Sequence, residues 1–211
     1  MTHLRKPGQE NRPQGGSQGG CAMNDLILAS SSPRRQALLQ QVNIVFSTRH
    51  PDVDESQITV SDPRKKVEQL AMLKGKSTPL LNDREVILSA DTVVSFNKDI
   101  FEKPKDADDA LRMLSLLSGS IHEVFTGVML RSSEQEVVFS EKTEVEFWPM
   151  SRSEIEAYIA TEEPFDKAGA YGIQAMGAMF VKGLRGDYHN VVGLPISRVV
   201  RNLKDFSIYP M

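Results

Sequence analysis

Apolar positions recur along the chain in three patterns, and each predicts a different kind of element. Short continuous runs suit strands buried on both faces. Leu26-Ile27-Leu28-Ala29 is one, and residues 86–96, the most apolar stretch, form the candidate central strand. Residues 44–48 predict a further strand, and Ile100-Phe101 a short return strand after the turn Asn97-Lys98-Asp99. Alternation marks a strand with one wet face: Thr143, Val145 and Phe147 alternate with Glu144 and Glu146. Segments 124–130 and 136–147 flank the polar turn Ser132-Ser133-Glu134-Gln135, which predicts an antiparallel pair. Helical spacing appears in four places. Val67, Leu70 and Ala71 follow Asp62-Pro63, with Lys74 on the same stripe and Gly75 as the expected stop. Ala110, Leu111, Leu114 and Leu117 lie between an Asp106 cap and Gly119. Ser151-Arg152-Ser153-Glu154 is a capping box ahead of Ile155, Tyr158 and Ile159. Ile196, Val199, Val200 and Leu203 follow a polar loop over residues 186–195 that contains His189. Residues 166–178 are dense in small side chains, which suits either close approach of a flat ligand or a tight crossing of two elements. Strands and helices mix, with at least one hairpin, so the expected class is α/β with a mixed rather than purely parallel sheet.

Composition changes this picture at the front of the chain. Residues 1–22 are rich in Gly, Gln, Asn and Pro and carry no apolar run. The segment reads as an expression leader or disordered tail, not a signal peptide or membrane anchor, with Met23 as the native start. About 190 residues then remain, which fits one domain over residues 23–211. No run approaches the roughly 18 apolar residues of a membrane span. A formal net charge of −3 gives no general pull toward nucleic acid, so any phosphate binding has to be local. The single cysteine, Cys21, lies in the leader, leaving the body without a disulfide or thiol metal site. A cytoplasmic setting is consistent with this.

The candidate chemistry begins at Ser30-Ser31-Ser32-Pro33-Arg34-Arg35, between the first strand and the first helix. Ser32 suits the N-cap and Pro33 the first helical position, so both arginines fall in the first turn, where the helix dipole disfavours cations. Two arginines there predict an anion, most simply a phosphate; a solvated surface pair is the structural alternative. Neighbours on a helix point about 100° apart, so one arginine is expected to face the ligand and the other to brace the loop. Asp91 interrupts the central apolar run, and a carboxylate so placed needs a partner, local N–H groups or a metal. Asp52, Asp54 and Glu55 put three carboxylates within four residues, either a cation-holding loop or a solvated one. Lys74 either snorkels to solvent or reaches into a cleft, and Lys103 adds a further cation. Cations that neutralise a polyphosphate, beside carboxylates that hold a metal or activate water, are the parts of hydrolysis at phosphorus. Neither G-x-x-x-x-G-K-[ST] nor G-x-G-x-x-G is present. There is no zinc-type histidine cluster, no G-x-S-x-G elbow and no internal repeat.

Taken in order, Ser30-x-Ser32-Pro33-Arg34-Arg35, Val53-Asp54-Glu55, Ala90-Asp91-Thr92, Lys103-Pro104, Leu117-Ser118-Gly119 with His122 and Thr126, residues 166–174, and Val192-Gly193-Leu194-Pro195 resemble the Maf family of nucleoside triphosphate pyrophosphatases. The resemblance runs from about Leu26 to Phe206. It implies a mixed, twisted sheet flanked by helices, with two lobes around a deep cleft. It also implies cleavage of a nucleoside triphosphate to the monophosphate and pyrophosphate with a divalent cation, Mg²⁺ or Mn²⁺. A house-cleaning role on nucleotides and a homodimer belong to the same expectation. Carried over by motif, Asp91 would activate water and, with Glu55, hold the metal. Ser30, Arg35, Lys74 and Lys103 would contact substrate. Arg34, Thr92 and Gln174 match the branch acting on dTTP and UTP; the sister branch acting on methylated GTP has Trp and Gln in place of Arg34 and Thr92. The competing readings are a non-catalytic, nucleotide-binding regulator of septum formation and a nucleotidyltransferase. The latter usually needs glycines where this opening turn has serines.

Overall fold

In the computed structural model, residues 24–211 are described; the leader expected over residues 1–22 lies outside them. The central strand extends over twelve residues, Glu85–Phe96 (β3), and every other strand is arranged about it. Asp25–Ala29 (β1) runs parallel both to Phe46–Thr48 (β2) and to β3. Asp99–Phe101 (β4), Ile121–Arg131 (β5), Glu136–Phe147 (β6) and Val181–Arg185 (β7) complete a seven-stranded mixed sheet of order β2-β1-β3-β5-β6-β7. On its other edge β3 pairs first with β1, through Ser89, and then with β4, from Val94. Among the described residues, positions 90–93 therefore have β5 on one side and no strand on the other. The sheet is notched there, and Asp91 and Thr92 occupy the notch.

Side chains alternate along a strand, so these two residues belong to opposite faces. The odd face of β3 lies under the helix Pro63–Ser77 (α2), through Val67, Val93, Phe125 and Ser89, whose Oγ donates to Ala71 O. The even face carries the helices Pro33–Gln41 (α1), Ala107–Leu117 (α3), Arg152–Ile159 (α4), Tyr188–Val192 (α5) and Ile196–Leu203 (α6). Two cores form there, one around Leu28, Leu39, Leu88 and Val199, the other around Leu114, Phe147, Ile155 and Tyr158. They are the two lobes, and the polar pair Thr92 and Thr126 lies in register between their strand positions.

Asp106 and the Ser151–Glu154 box cap α3 and α4 as their sequences predict. The helix α2 does not stop at Gly75 but runs on to Ser77. A Cβ on Gly75 would lie 2.7 Å from both Met129 Sδ and Ser89 Oγ, so this glycine lets the helix sit against the sheet. The expected loop over residues 186–195 is partly helical, as α5, and β7 precedes it without any marking pattern. In the small-residue segment, Gly169 (φ +70°) packs against Val94 and Gly177 against Gly172 O, so the chain crosses itself tightly.

His122 is buried in the second lobe, its Nε2 2.8 Å from Tyr171 Oη and its ring edge-to-face with Phe147. Burial pushes its pKa down from 6.5 to about 3. A folded-state pKa below the unfolded one means stability that is complete above about pH 6.5 and is lost as pH falls toward 3. Each unit in that window removes about 1.4 kcal/mol. Urea midpoints at pH 7.5 and pH 5 should therefore converge in His122→Phe relative to the wild type. Equal pH slopes in the two proteins would show that His122 is not the titrating group.

Candidate active site

The notch in the sheet opens into a cleft of about 750 Å³ that reaches both faces. Leu70, Lys74 and Asp91 line it from the α2 side, and Arg35, Thr92 and Gly193 from the α1 and α5 side. Ligands of open α/β sheets collect beyond the carboxyl ends of parallel strands, and β1 ends at this cleft.

On the α2 side, the ammonium of Lys74 lies 2.5 Å from Asp91 Oδ1 and 2.9 Å from Glu55 Oε1. Lys74 thus reaches into the cleft, bringing together a strand carboxylate and a loop carboxylate. Burial pushes Asp91 above the ordinary carboxylate range, while Lys74 and Arg35 oppose that shift. Such a group is a better proton acceptor near neutrality than a solvated aspartate. Of the other acids in the Asp52 to Glu55 cluster, Asp54 caps its own turn by accepting from Ser56 N and Ser56 Oγ.

The two arginines take different paths from α1. Arg34 reaches across the cleft mouth, with Nη1 2.6 Å from Asp166 Oδ2. Arg35 turns inward, where Nε donates to Gly193 O at 2.8 Å, Nη1 to Ser30 Oγ at 3.1 Å and Nη2 to Thr92 Oγ1 at 3.2 Å. Its burial lowers the guanidinium pKa and the charge of Asp91 offsets part of that shift, but arginine stays charged. Ser32 is the N-cap residue of α1 without a side-chain capping bond; Ser30 Oγ instead accepts from Ser32 N.

Lys103 and Gln174 also line the cleft, both exposed and making no hydrogen bond or ion pair with other described residues. All nine candidate residues, Ser30, Arg34, Arg35, Glu55, Lys74, Asp91, Thr92, Lys103 and Gln174, therefore border one cavity. Sequence reasoning gives no role to Asp166, Lys167 or Glu163. Lys167 Nζ donates to Asp166 Oδ1 and to Glu163 O, and Glu163 in turn accepts from Tyr158 Oη and Met176 N. Together they hold the far wall that meets Arg34. Asp166 and Lys167 open the motif over residues 166–174, which gives neither a role, and Glu163 has only its position beside the small-residue segment as a signal.

Among the described residues no group of three or more His, Cys, Asp or Glu side chains converges as a metal cage. Asp91 and Glu55 both offer oxygen to one cation, which in this structure is the Lys74 ammonium. Mg²⁺ is commonly held by one or two carboxylates plus substrate phosphates, with waters completing the shell. The donor set fits a divalent cation of that kind. No described helix is long and apolar enough to cross a membrane.

A family model described as Maf-like protein matches residues 25–206. A dTTP/UTP pyrophosphatase of Bacillus cytotoxicus is 50% identical over 184 residues, covering 87% of this chain and 96% of the relative. Two proteins of Bacillus cereus strains, also dTTP/UTP pyrophosphatases, are 46% identical over 186 residues and 43% identical over 208 residues. Those alignments cover 88% and 99% of this chain, and 97% of each relative.

Proposed function

The chain belongs to the Maf-like protein family, and from that premise we infer that it is a nucleoside triphosphate pyrophosphatase acting on dTTP and UTP. The observation that carries this reading is the meeting of Asp91, Glu55 and Lys74 with Arg35 in one cleft. Its volume of about 750 Å³ lies within the range of small-molecule sites.

Water attacks the α phosphorus, the bond from that phosphorus to the bridging oxygen breaks, and pyrophosphate departs with the bond's electron pair. Asp91 accepts the proton of the attacking water, which its raised pKa suits. Charge building on the leaving group is met by Lys74, Lys103 and Arg35, preorganised donors of the kind that dominate such catalysis. Asp91 and Glu55 would hold a Mg²⁺ or Mn²⁺ ion, which when bound supplies charge neutralisation and a more acidic water. In this reading the triphosphate lies between Lys74 on the α2 side and Arg35 on the α1 side, with the nucleoside toward Arg34 and Gln174. The same reading places the enzyme in the cytoplasm as a homodimer that clears unwanted nucleotides.

Pyrophosphate release from dTTP, UTP, CTP, methylated GTP and modified uridine triphosphates tests the assignment. Turnover of dTTP and UTP at least about tenfold above CTP and methylated GTP is expected. Equal indifference to all of them would end this reading, and calorimetric binding without turnover would put a nucleotide-binding regulator in its place.

A further inference from the structure

Thr92 and Thr126 face each other across β3 and β5, with their hydroxyl oxygens 2.9 Å apart. Thr126 Oγ1 also lies 3.0 Å from Asn190 O. A carbonyl only accepts, so that contact uses the single proton of Thr126. Thr92 must then be the donor to Thr126, and its oxygen accepts from Arg35 Nη2. The direction is determined along the whole row: Arg35 to Thr92, Thr92 to Thr126, Thr126 to the Asn190 carbonyl. That carbonyl also accepts from Gly193 N at 3.0 Å, and the Asn190 side chain is tied to Val124 O and Thr143 Oγ1. The end of the row is thus anchored to β5, β6 and α5.

The Thr92 proton is engaged in this row, so its hydroxyl has none left to donate to a pyrimidine. Arg35 is held at three points, Thr92, Ser30 and Gly193, leaving two of its five N–H donors for the cleft that it lines.

We propose that Thr126 is a positioning residue for the hydrolytic reaction. It acts through Thr92 on Arg35, and Thr92 contributes to substrate handling by setting where Arg35 sits. Thr126 itself is fully buried and does not line the cleft, so it reaches substrate only through this row. The inference rests on the reading of the cleft as a dTTP and UTP site.

Thr126→Val removes the hydroxyl at nearly constant volume, and Thr126→Ser keeps it. Steady-state kinetics with dTTP and UTP should show kcat/KM about tenfold lower in Thr126→Val, the scale of one hydrogen bond to a charged network. The ratio between the two substrates should be unchanged, because no base contact is lost. Thr126→Ser should recover to within about twofold, which a pure packing effect would not produce. The Thr92→Val, Thr126→Val double variant should be no slower than Thr92→Val alone, the signature of residues acting in one row. Wild-type kcat/KM in Thr126→Val, a serine variant as impaired as the valine one, or additive losses in the double variant would each overturn the proposal. If Thr126→Val does not fold, Thr126→Ala against Thr126→Ser makes the same comparison. A wild type inactive on both nucleotides would instead refute the assigned activity.

Discussion

Asp91→Asn should lose roughly 10²–10⁴-fold in kcat, the range contributed by a positioned proton acceptor, while remaining folded. The amide keeps the shape of the carboxylate and can still accept from Lys74 through its oxygen. Removing the charge also relieves the desolvation that raises the Asp91 pKa. Lys74 keeps its second partner, Glu55 at 2.9 Å, so the ammonium is not stranded. Thermal melting within a few degrees of the wild type is therefore expected. Nucleotide affinity should persist, because Arg35, Lys103 and Gln174 line the cleft independently of Asp91. Rate measurements across a Mg²⁺ series separate the two duties assigned to this carboxylate. Partial recovery at high Mg²⁺ marks loss of a metal ligand, and an unrecovered rate marks loss of the base. Near-normal turnover at ordinary Mg²⁺ would remove Asp91 from the chemistry.

Asp91 is legible in the amino-acid sequence because it violates a local rule, standing as a carboxylate inside the most apolar run of the chain. Arg34 and Arg35 are legible in the same way, as cations at a helix start. Residues that break a pattern announce themselves; residues that obey one do not. Thr126 is an ordinary strand threonine, and only the register with Thr92 and the approach of Asn190 give it a role. The strand β7 is an edge element whose Lys182, Leu184 and Arg185 are all exposed. It has no hydrophobic pattern to find, and pairing with β6 alone defines it. Gly75 carries a stop signal by composition, yet its environment is a helix interior against Met129 and Ser89. Tertiary packing there overrides the modest cost of a mid-helix glycine. Asp166 stands within the motif over residues 166–174, but its pairing is invisible there because its partner, Arg34, is 132 residues away.

Gly127→Ala should damage stability and activity together, because the strand position opposite Asp91 is where α2 touches the sheet. Gly127 is in register with Asp91. A Cβ there would overlap the carbonyl group of Val67 and lie 2.7 Å from Glu68 N. Those atoms are helix backbone, which cannot rotate away as a side chain can, so α2 has to move as a body. Overpacking of this kind costs on the order of 3 kcal/mol, about 6–12 °C in Tm for a domain of this size. The displaced helix carries Lys74, whose ammonium sits between Asp91 and Glu55. Small misplacements of catalytic groups can cost up to about 10²-fold, so kcat/KM measured well below the Tm should fall about 10- to 100-fold. Gly183→Ala is the control, since a Cβ at Gly183 has nothing within 4 Å and should leave both quantities near wild type. A Gly127→Ala protein with unchanged melting would show that α2 does not rest on this strand. Lowered melting with full activity would show that the placement of Lys74 over Asp91 does not depend on that contact.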